Sequence, residues 1–258
     1  MASRHSAFYS PLLATIARGF DATYSVLGAG QRSQDLIREG VVDIMQSAVS
    51  SNWNPMDRGE GPLPVHFALI NRRDGFFIAA PEPDEAFAWK SLEGRTLRAD
   101  YGAQPNAMLH YALTYNGVEV DRVLMVESGD ADYIHRQAPG PWCPVVSVGA
   151  SMPEVAFSTL CCSRDFVDTT AYNEFLAAYE ETRQWVRSAP AEDVAAVEAG
   201  FFPGVTRKDV ADAIKAYQKI GTWSGGIEID DALYEQALMV FGRTGGLSTR
   251  HPRSAVCL

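Results

Sequence analysis

A polar loop at residues 102–106, Gly-Ala-Gln-Pro-Asn, stands where a predicted strand gives way to a predicted helix. Pro105 suits the first turn of a helix, because the first N–H groups of a helix lack partners and proline has none to lose. We expect the N–H groups of Asn106 and Ala107 to face a ligand, since a helix N-terminus attracts anions and polar groups. Gly102 is expected to let that ligand approach the backbone closely.

A second loop of this kind, residues 5–10, leads into a helix predicted to begin at Pro11. His5, with Ser6 and Tyr9 close behind it, offers groups suited to ligand binding or proton transfer. The alternative is that His5 is a solvated residue of the N-terminal region. The two loops lie far apart in the sequence, so a shared site requires a fold that brings them together.

Ser47 directly follows residues 41–46, an apolar strand without polar alternation, which indicates burial on both faces. This position favours a hydroxyl that donates to a ligand, and the alternative is an ordinary loop or cap residue. Arg72 lies in the run 71–75, where the Asp-Gly pair predicts a hairpin turn. The alternative for Arg72 is a clamp that holds a carboxylate or sulfonate with bidentate geometry.

Acidic side chains and cysteines suggest two further kinds of chemistry. Glu127 with Asp130 and Asp132 is compatible with a metal site, and the alternative is a charged loop. The four cysteines match no zinc spacing, and adjacent Cys161 and Cys162 rarely bridge each other because the geometry is strained. We expect no bound metal, and free thiols in a reducing compartment; a catalytic thiol is the alternative.

The bulk composition limits the function class. The net charge is −10, which disfavours a nucleic-acid binder, since such proteins usually carry a basic face. The sequence has no run of about 18 apolar residues, so membrane insertion is not expected. Its first residues lack the pattern of a secretory signal. The protein as written is expected in the cytoplasm, or in the periplasm if an export signal has been removed.

Predicted strands alternate with predicted helices up to residue 161, which indicates an α/β fold with a mostly parallel sheet. The alternation restarts after the Pro-Glu-Pro sequence at residues 81–83, and from residue 163 the pattern is nearly all helical. These breaks predict two units. Residues 1–81 and 161–258 form one unit, and residues 82–160 form the other.

A resemblance to a known family rests on the blocks SPL, GVVDIMQSAVSS, SLEGRTLRADYGAQPNAML, GVEVDRVLMVESGD and VAFSTLCCSRDFVD. Their order resembles the type II periplasmic-binding-protein fold, and most of all its NMT1/THI5-like branch. That branch is related to the substrate-binding components of ABC transporters for sulfonates, taurine and pyrimidine precursors. The resemblance covers nearly the whole chain.

The resemblance implies two α/β lobes that close on a hinge around a small anionic or heteroaromatic ligand in the cleft between them. It implies an ABC permease as partner and requires no cofactor. Carried over position by position, the implied ligand contacts are His5, Ser6, Tyr9, Gln46, Ser47, Ala48, Asn71, Arg72, Tyr101, Gly102, Gln104, Asn106, Glu127 and Ser128.

Two other functions stay open on the sequence alone. The same fold hosts cytoplasmic enzymes, so a dehydratase, a decarboxylase or an enzyme of pyrimidine-precursor biosynthesis is the main alternative, and a ligand-sensing module is a third. Cys161-Cys162 does not match the cysteine-rich iron-binding motif of the yeast-type pyrimidine synthases, and the sequence has no nucleophile elbow, P-loop or HExxH pattern. A binding protein without catalysis is therefore the favoured function.

Overall fold

The computed structural model describes residues 1–2, 5–127 and 142–258, and the predictions for Ser128, Asp130 and Asp132 lie outside them. Its central sheet contains three strands, β1 (Ile44–Ser47), β2 (Val65–Asn71) and β7 (Ser158–Cys162). β7 lies between β1 and β2 and pairs antiparallel with both. β1 and β2 therefore run in the same direction, and a strand from much later in the chain fills the space between them.

The first two residues extend this sheet beyond β1. Gln46 N–H donates to Met1 O at 2.8 Å, and Leu27 N–H donates to Ala2 O at 2.9 Å. Residues 1–2 therefore lie between β1 and the segment that ends at Leu27. The strand predicted at residues 22–27 is reduced to one bridge with Ala2.

Two further strand pairs lie outside the central sheet. β3 (Phe77–Ala80) pairs antiparallel with β6 (Cys143–Ser147), and β4 (Thr96–Ala99) pairs parallel with β5 (Leu124–Glu127). α4 (Ala103–Tyr115) joins β4 to β5, as a parallel pair requires. The expectation of mostly parallel pairing is wrong for the described strands, because β6 and β7 return from distant parts of the chain and run against their neighbours.

Several helices begin where the sequence supplies a capping side chain. Thr169, Thr206 and Asp230 each accept a hydrogen bond from an N–H group in the first turn of the helix that follows. None of the helices in the described part is long and apolar enough to span a bilayer. Besides α4 they are α1 (Ser10–Ala17), α2 (Ser33–Arg38), α3 (Trp53–Asp57), α5 (Arg164–Val167), α6 (Thr170–Ser188), α7 (Ala191–Val197), α8 (Arg207–Ile220), α9 (Asp231–Arg243) and α10 (Arg253–Val256).

Buried side chains join the helices to each other and to the sheet. Trp53 Nε1 donates to the Tyr234 hydroxyl at 2.9 Å, and the Trp53 ring meets Phe241 edge-on. A second cluster around Ile214 and Trp223 packs α6, α7 and α8 together. Full burial of side chains of this size stabilises the fold by roughly 1.5–3 kcal/mol each.

Residues 71–76 and 148–157, which we name the two crossing segments, connect the central sheet to the β3–β6 pair. The segments bond to each other, since Val155 N–H donates to Arg72 O at 2.9 Å. β2 and β3 pair with different strands rather than with each other. The hairpin predicted at residues 71–75 is therefore wrong, because the backbone groups of this run bond to the other crossing segment.

A close contact between Asp74 and Gly149 locks the crossing segments. A Cβ at Gly149 would lie 2.2 Å from the backbone oxygen of Asp74, so only glycine fits this position without a shift. Arg73 adds to the lock, because its Nη1 donates to Gly149 O at 3.0 Å and to Met152 O at 3.1 Å. Its Nη2 lies 3.6 Å from Glu154 Oε1. The two connections thus form one packed unit.

The division of the chain into two units stays a prediction. One unit comprises residues 1–81 and 161–258, and the other comprises residues 82–160. The whole of β7 pairs within the central sheet, so the chain has returned to that sheet by Ser158. This observation favours a boundary a few residues earlier than 161, within the second crossing segment.

The buried carboxyl of Glu198 lies against Ser10, the first residue of α1. The Ser10 hydroxyl lies 2.9 Å from Glu198 Oε2 and 2.8 Å from Ala7 O, although it has one hydrogen to donate. The Ser10 hydroxyl therefore shares its hydrogen between the carboxyl and the Ala7 carbonyl. Burial raises the pKa of Glu198 to about 8, which favours the protonated carboxyl at neutral pH.

Glu198→Gln should flatten the pH dependence of stability. Because folding raises the pKa of Glu198 from 4.5 to about 8, the contribution of this group is fully present below pH 4.5 and is lost as the pH rises through 8. The free energy of unfolding should fall across this window in the wild type, by up to about 1.4 kcal/mol per pH unit from this group. Urea melts at a series of pH values measure the slope.

The matched control is Glu180→Gln, since Glu180 lies on the exposed side of α6. That variant should keep the wild-type slope. Equal slopes in E198Q and the wild type would contradict the neutral, buried state of Glu198.

Candidate functional site

A cavity of about 340 Å³, which we name the central cavity, lies where loops from distant parts of the chain meet. Its volume is typical of small-molecule sites, which span roughly 300–1,000 Å³. The loop before α1, the residues after β1, the start of α4 and the crossing segments all contribute. The described lining residues are Ser6, Phe8, Tyr9, Leu27, Ser33, Met45, Gln46, Ser47, Ala48, Ser51, Gly75, Phe76, Gln104, Pro105, Phe157 and Tyr217.

The structure brings part of the predicted ligand contacts to this cavity. The loop predicted at residues 102–106 is helical from Ala103 onward. The residues before α1 and this first turn of α4 meet at the cavity with the end of β1 and the Ser-rich loop after it. The contacts brought together are Ser6, Tyr9, Gln46, Ser47, Ala48 and Gln104. Among the described residues, the lining leaves out His5, Asn71, Arg72, Tyr101, Gly102, Asn106 and Glu127. Contact of any of these residues with a ligand stays a prediction.

Hydroxyl and amide side chains supply the polar part of the lining. Ser47 Oγ donates to Ser51 Oγ at 3.0 Å, and Gln46 Nε2 donates to Ser158 Oγ at 2.8 Å. These bonds hold the polar groups in place within the protein itself. Groups held in this way lose less conformational freedom when a ligand binds, which favours affinity.

Gln104 has a defined amide orientation. Its Nε2 donates to Phe157 O at 2.7 Å. Because a backbone carbonyl only accepts hydrogen bonds, the amide nitrogen must face it and Oε1 must point elsewhere. Gln104 therefore retains an acceptor oxygen for a donor group of a ligand, while it ties the first turn of α4 to the second crossing segment.

The backbone at the start of α4 is used differently from the prediction. Asn106 N–H donates to Gly102 O at 3.0 Å as part of the helix, so the expectation that this N–H group faces a ligand is wrong. Gly102 N–H donates to Asp100 Oδ1 at 2.7 Å. A Cβ at Gly102 would lie 3.0 Å from the same carboxylate oxygen. The side chain that Gly102 makes room for is therefore Asp100.

Aromatic rings supply much of the apolar part of the lining, and we name them the aromatic wall: Phe8, Tyr9, Phe76, Phe157 and Tyr217. The ring centroid of Phe8 lies 5.5 Å from Tyr9, 5.6 Å from Phe157 and 5.2 Å from Tyr217. Sequence analysis predicted only Tyr9 among them. The others lack a distinguishing signal in the sequence, because an aromatic residue that faces a cavity follows the same pattern as one in the core.

Arg72 and Asn71 bond to the protein instead of lining the cavity. Arg72 Nη1 lies 3.6 Å from Glu154 Oε2, and its Nη2 donates to Gly226 O at 3.4 Å. In this structure the guanidinium faces a carboxylate, and the clamp for an anion stays a prediction. Asn71 Nδ2 donates to Phe8 O at 2.9 Å and so positions the turn that carries Phe8 and Tyr9 of the aromatic wall.

The remaining predicted contacts lie outside the lining for different reasons. His5 is exposed, and its ring centroid lies 4.7 Å from Phe202 and 5.7 Å from Tyr24. Tyr101 and Glu127 are exposed as well. Within residues 1–2, 5–127 and 142–258, no three or more His, Cys, Asp and Glu side chains are grouped so that they could hold a metal ion.

The cysteines are free thiols, as expected. Cys161, Cys162 and Cys257 are buried, and burial raises the pKa of Cys162 and of Cys257 to about 12. A thiol is a nucleophile only as the thiolate. These pKa values therefore disfavour a catalytic role for Cys162 and Cys257.

No described residue of the cavity lining carries a charged side chain. A buried carboxyl, Asp74, is next to Gly75 in the chain, and it accepts a hydrogen bond from Phe76 N–H. Burial raises the pKa of Asp74 to about 7. Burial, with smaller effects of Asp74 and Tyr9, raises the pKa of Tyr217 to about 12, so its hydroxyl stays protonated.

No family model matches the chain. A Bacillus subtilis (strain 168) protein named "Putative binding protein YtlA" is 22% identical over an alignment of 279 residues, which covers 96% of this chain and 83% of the relative. The ligand binding component of an ABC-type import system from Staphylococcus aureus, solved with zinc bound, matches with TM-score 0.68 and 9% identity, over 98% of this chain and 93% of that one.

The periplasmic aliphatic sulphonate binding protein SsuA from Escherichia coli matches with TM-score 0.65 and 14% identity, over 98% of this chain and 89% of that one. At these identities the likeness to the solved structures concerns the fold. It extends over nearly the full length of all the chains compared. This chain therefore has the α/β fold of the periplasmic binding proteins.

Proposed function

We propose that this chain is a small-molecule binding protein of the kind that serves ABC-type importers. The observation that carries the proposal is the central cavity, where Ser6, Ser47 and Gln104 meet although Ser6 precedes α1, Ser47 ends β1 and Gln104 lies in the first turn of α4. Loops at strand ends are the usual ligand sites of open α/β folds. The names of YtlA and of the two solved neighbours describe binding proteins or ligand-binding components, which supports the same activity here.

The finer assignment to the NMT1/THI5-like branch is part of this proposal and is supported by the sequence blocks that resemble it. We propose an ABC permease as the partner. Residues 1–81 with 161–258 form one lobe and residues 82–160 the other, and closure bends the crossing segments. The E. coli neighbour is periplasmic, which supports the periplasm among the two predicted locations.

The lining favours an uncharged heteroaromatic ligand over an anion. An anion in a cavity of this kind needs a cation or several fixed N–H donors, because a buried charge without a partner is costly. The described lining supplies no cation, and the guanidinium of Arg72 faces Glu154. The aromatic wall offers faces and edges for a flat ring, and the Gln104 amide oxygen offers an acceptor for a ring N–H or amino group.

A thermal-shift screen tests the proposal. Three sets of compounds are compared: uncharged heteroaromatics such as pyrimidines, alkyl and aryl sulfonates, and aromatic carboxylates. A ligand at a hundredfold excess over its Kd stabilises the folded state by about 2.7 kcal/mol, which corresponds to a rise of roughly 5–10 °C in Tm. We expect such a shift within the first set. Failure of all three sets would count against a binding function.

Ala48→Leu should block the central cavity. Ala48 lines it, and the added carbons occupy space that the ligand needs. We expect the affinity for the compound found in the screen to fall about tenfold or more, a loss of at least ~1.4 kcal/mol of binding free energy. Isothermal titration calorimetry measures the affinity, and the Tm of the unliganded protein should change little.

Ala150→Leu is the matched control, because Ala150 is exposed and lies outside the described lining. It adds the same side chain and should leave the affinity unchanged. Equal affinities in A48L and A150L would show that the ligand binds elsewhere.

Salt should have little effect on binding if the ligand is uncharged. Screening weakens interactions between charges and leaves contacts with neutral aromatic surfaces largely intact. We expect the Kd to change by less than about twofold between low and high sodium chloride concentrations. A steep loss of affinity with salt would favour an anionic ligand instead, and calorimetry at several ionic strengths distinguishes the two.

A further inference from the structure

We propose that Gly75 and Phe8 together set the width of the central cavity and so determine how many fused rings a ligand can have. This inference rests on the proposed function, because it concerns the same cavity. Both residues line this cavity, and they lie near the two ends of residues 1–81 in the sequence. Any side chain at position 75 turns the Phe8 ring into the space that the ligand uses.

The ring of Phe8 lies directly against the backbone of Gly75. A Cβ at Gly75 would lie 2.4 Å from Phe8 Cε2, 2.6 Å from Cδ2 and 3.1 Å from Cζ. Carbon atoms that are not bonded to each other normally stay about 3.5–4.0 Å apart. One of the two residues must therefore move when position 75 carries a side chain.

The backbone of Phe8 is held by three hydrogen bonds. Its carbonyl accepts from Asn71 Nδ2 at 2.9 Å and from Trp223 Nε1 at 3.3 Å. Its N–H donates to Ser6 Oγ at 3.2 Å. Asn71 and Trp223 are themselves buried, so the main chain of Phe8 cannot withdraw without breaking contacts in the core.

The backbone of Gly75 is held from both sides. Asp74, which precedes it, lies against Gly149 so closely that a Cβ there would meet its backbone oxygen at 2.2 Å. Phe76, which follows it, accepts a hydrogen bond from Val148 N–H at 3.0 Å. The crossing segments therefore keep Gly75 in place, and the movement falls to the Phe8 side chain.

The Phe8 ring has close neighbours inside the protein and open space in the cavity. Tyr9, Phe157 and Tyr217 lie near the ring with centroid distances of 5.2–5.6 Å, and the residue is 7% exposed. The cavity that Phe8 lines offers the space for a rotation. A rotation away from position 75 therefore moves the ring into the cavity and narrows it, which excludes wide ligands before narrow ones.

The test compares two flat, uncharged probes of different width, phenol and 2-naphthol. Titration calorimetry and quenching of intrinsic fluorescence give the Kd of each for the wild type and for Gly75→Ala. We expect the wild type to bind both. In G75A the affinity for 2-naphthol should fall about tenfold or more, while the affinity for phenol should change less than about threefold.

Two further variants separate a change of width from general damage. Phe8→Leu combined with Gly75→Ala removes the ring atoms Cε2 and Cζ, and it should restore binding of 2-naphthol. Gly200→Ala is the matched control, because a Cβ at Gly200 meets no atom within 4 Å. That variant should bind both probes like the wild type.

Three results would overturn the inference: unchanged binding of 2-naphthol by G75A, equal losses for both probes, or no recovery in the double variant. If G75A does not fold, Phe8→Leu alone tests the inference. The ratio of its affinity for 2-naphthol to its affinity for phenol must then exceed the ratio in the wild type. If the wild type binds neither probe and no compound of the screen, the proposed function fails. A crystal structure of G75A then still shows whether the Phe8 ring has turned into the cavity or the backbone has moved.

Discussion

The contact between the two crossing segments is the constraint on which the rest of the structure depends. Asp74 and Gly149 touch through their backbones, and the Arg73 guanidinium binds the carbonyl groups of the second segment. This contact fixes the place where the chain leaves the central sheet towards β3. It also fixes the place where the chain returns from β6 to enter the sheet as β7. It also fixes Gly75, and through Gly75 the place of the Phe8 ring. The shape of the central cavity is therefore set at the crossing.

The glutamine side chains around the cavity form hydrogen bonds within the protein that hold the fold together. The amide nitrogens of Gln46 and Gln104 bond to Ser158 and Phe157, which are consecutive residues at the entry to β7. Gln46 thus ties β1, and Gln104 the first turn of α4, to the returning chain. A ligand would meet groups that are already positioned, so little conformational entropy would be lost on binding. This arrangement suits recognition by shape and by a few hydrogen bonds.

Burial favours the neutral form of two carboxyls, Asp74 and Glu198. Burial raises the pKa of Asp74 to about 7 and that of Glu198 to about 8. A protonated carboxyl avoids the cost of burying a charge and can donate a hydrogen bond. Glu198 Oε2 accepts a hydrogen bond from the Ser10 hydroxyl, beside the turn that carries Phe8. The cavity lining, which carries no charged side chain among its described residues, favours an uncharged ligand.

The sequence by itself determined the α/β class and the helix starts at Thr169, Thr206 and Asp230, because caps and hydrophobic periodicity act within a few residues. Local patterns carry no information about which distant strand pairs with which. The antiparallel entry of β7, the structural use of Arg72 and Asn71, and the aromatic wall with Phe157 and Tyr217 therefore emerged only in the tertiary structure. Burial and pairing between residues more than 60 positions apart decided these features, as the pairing of β2 with β7 shows.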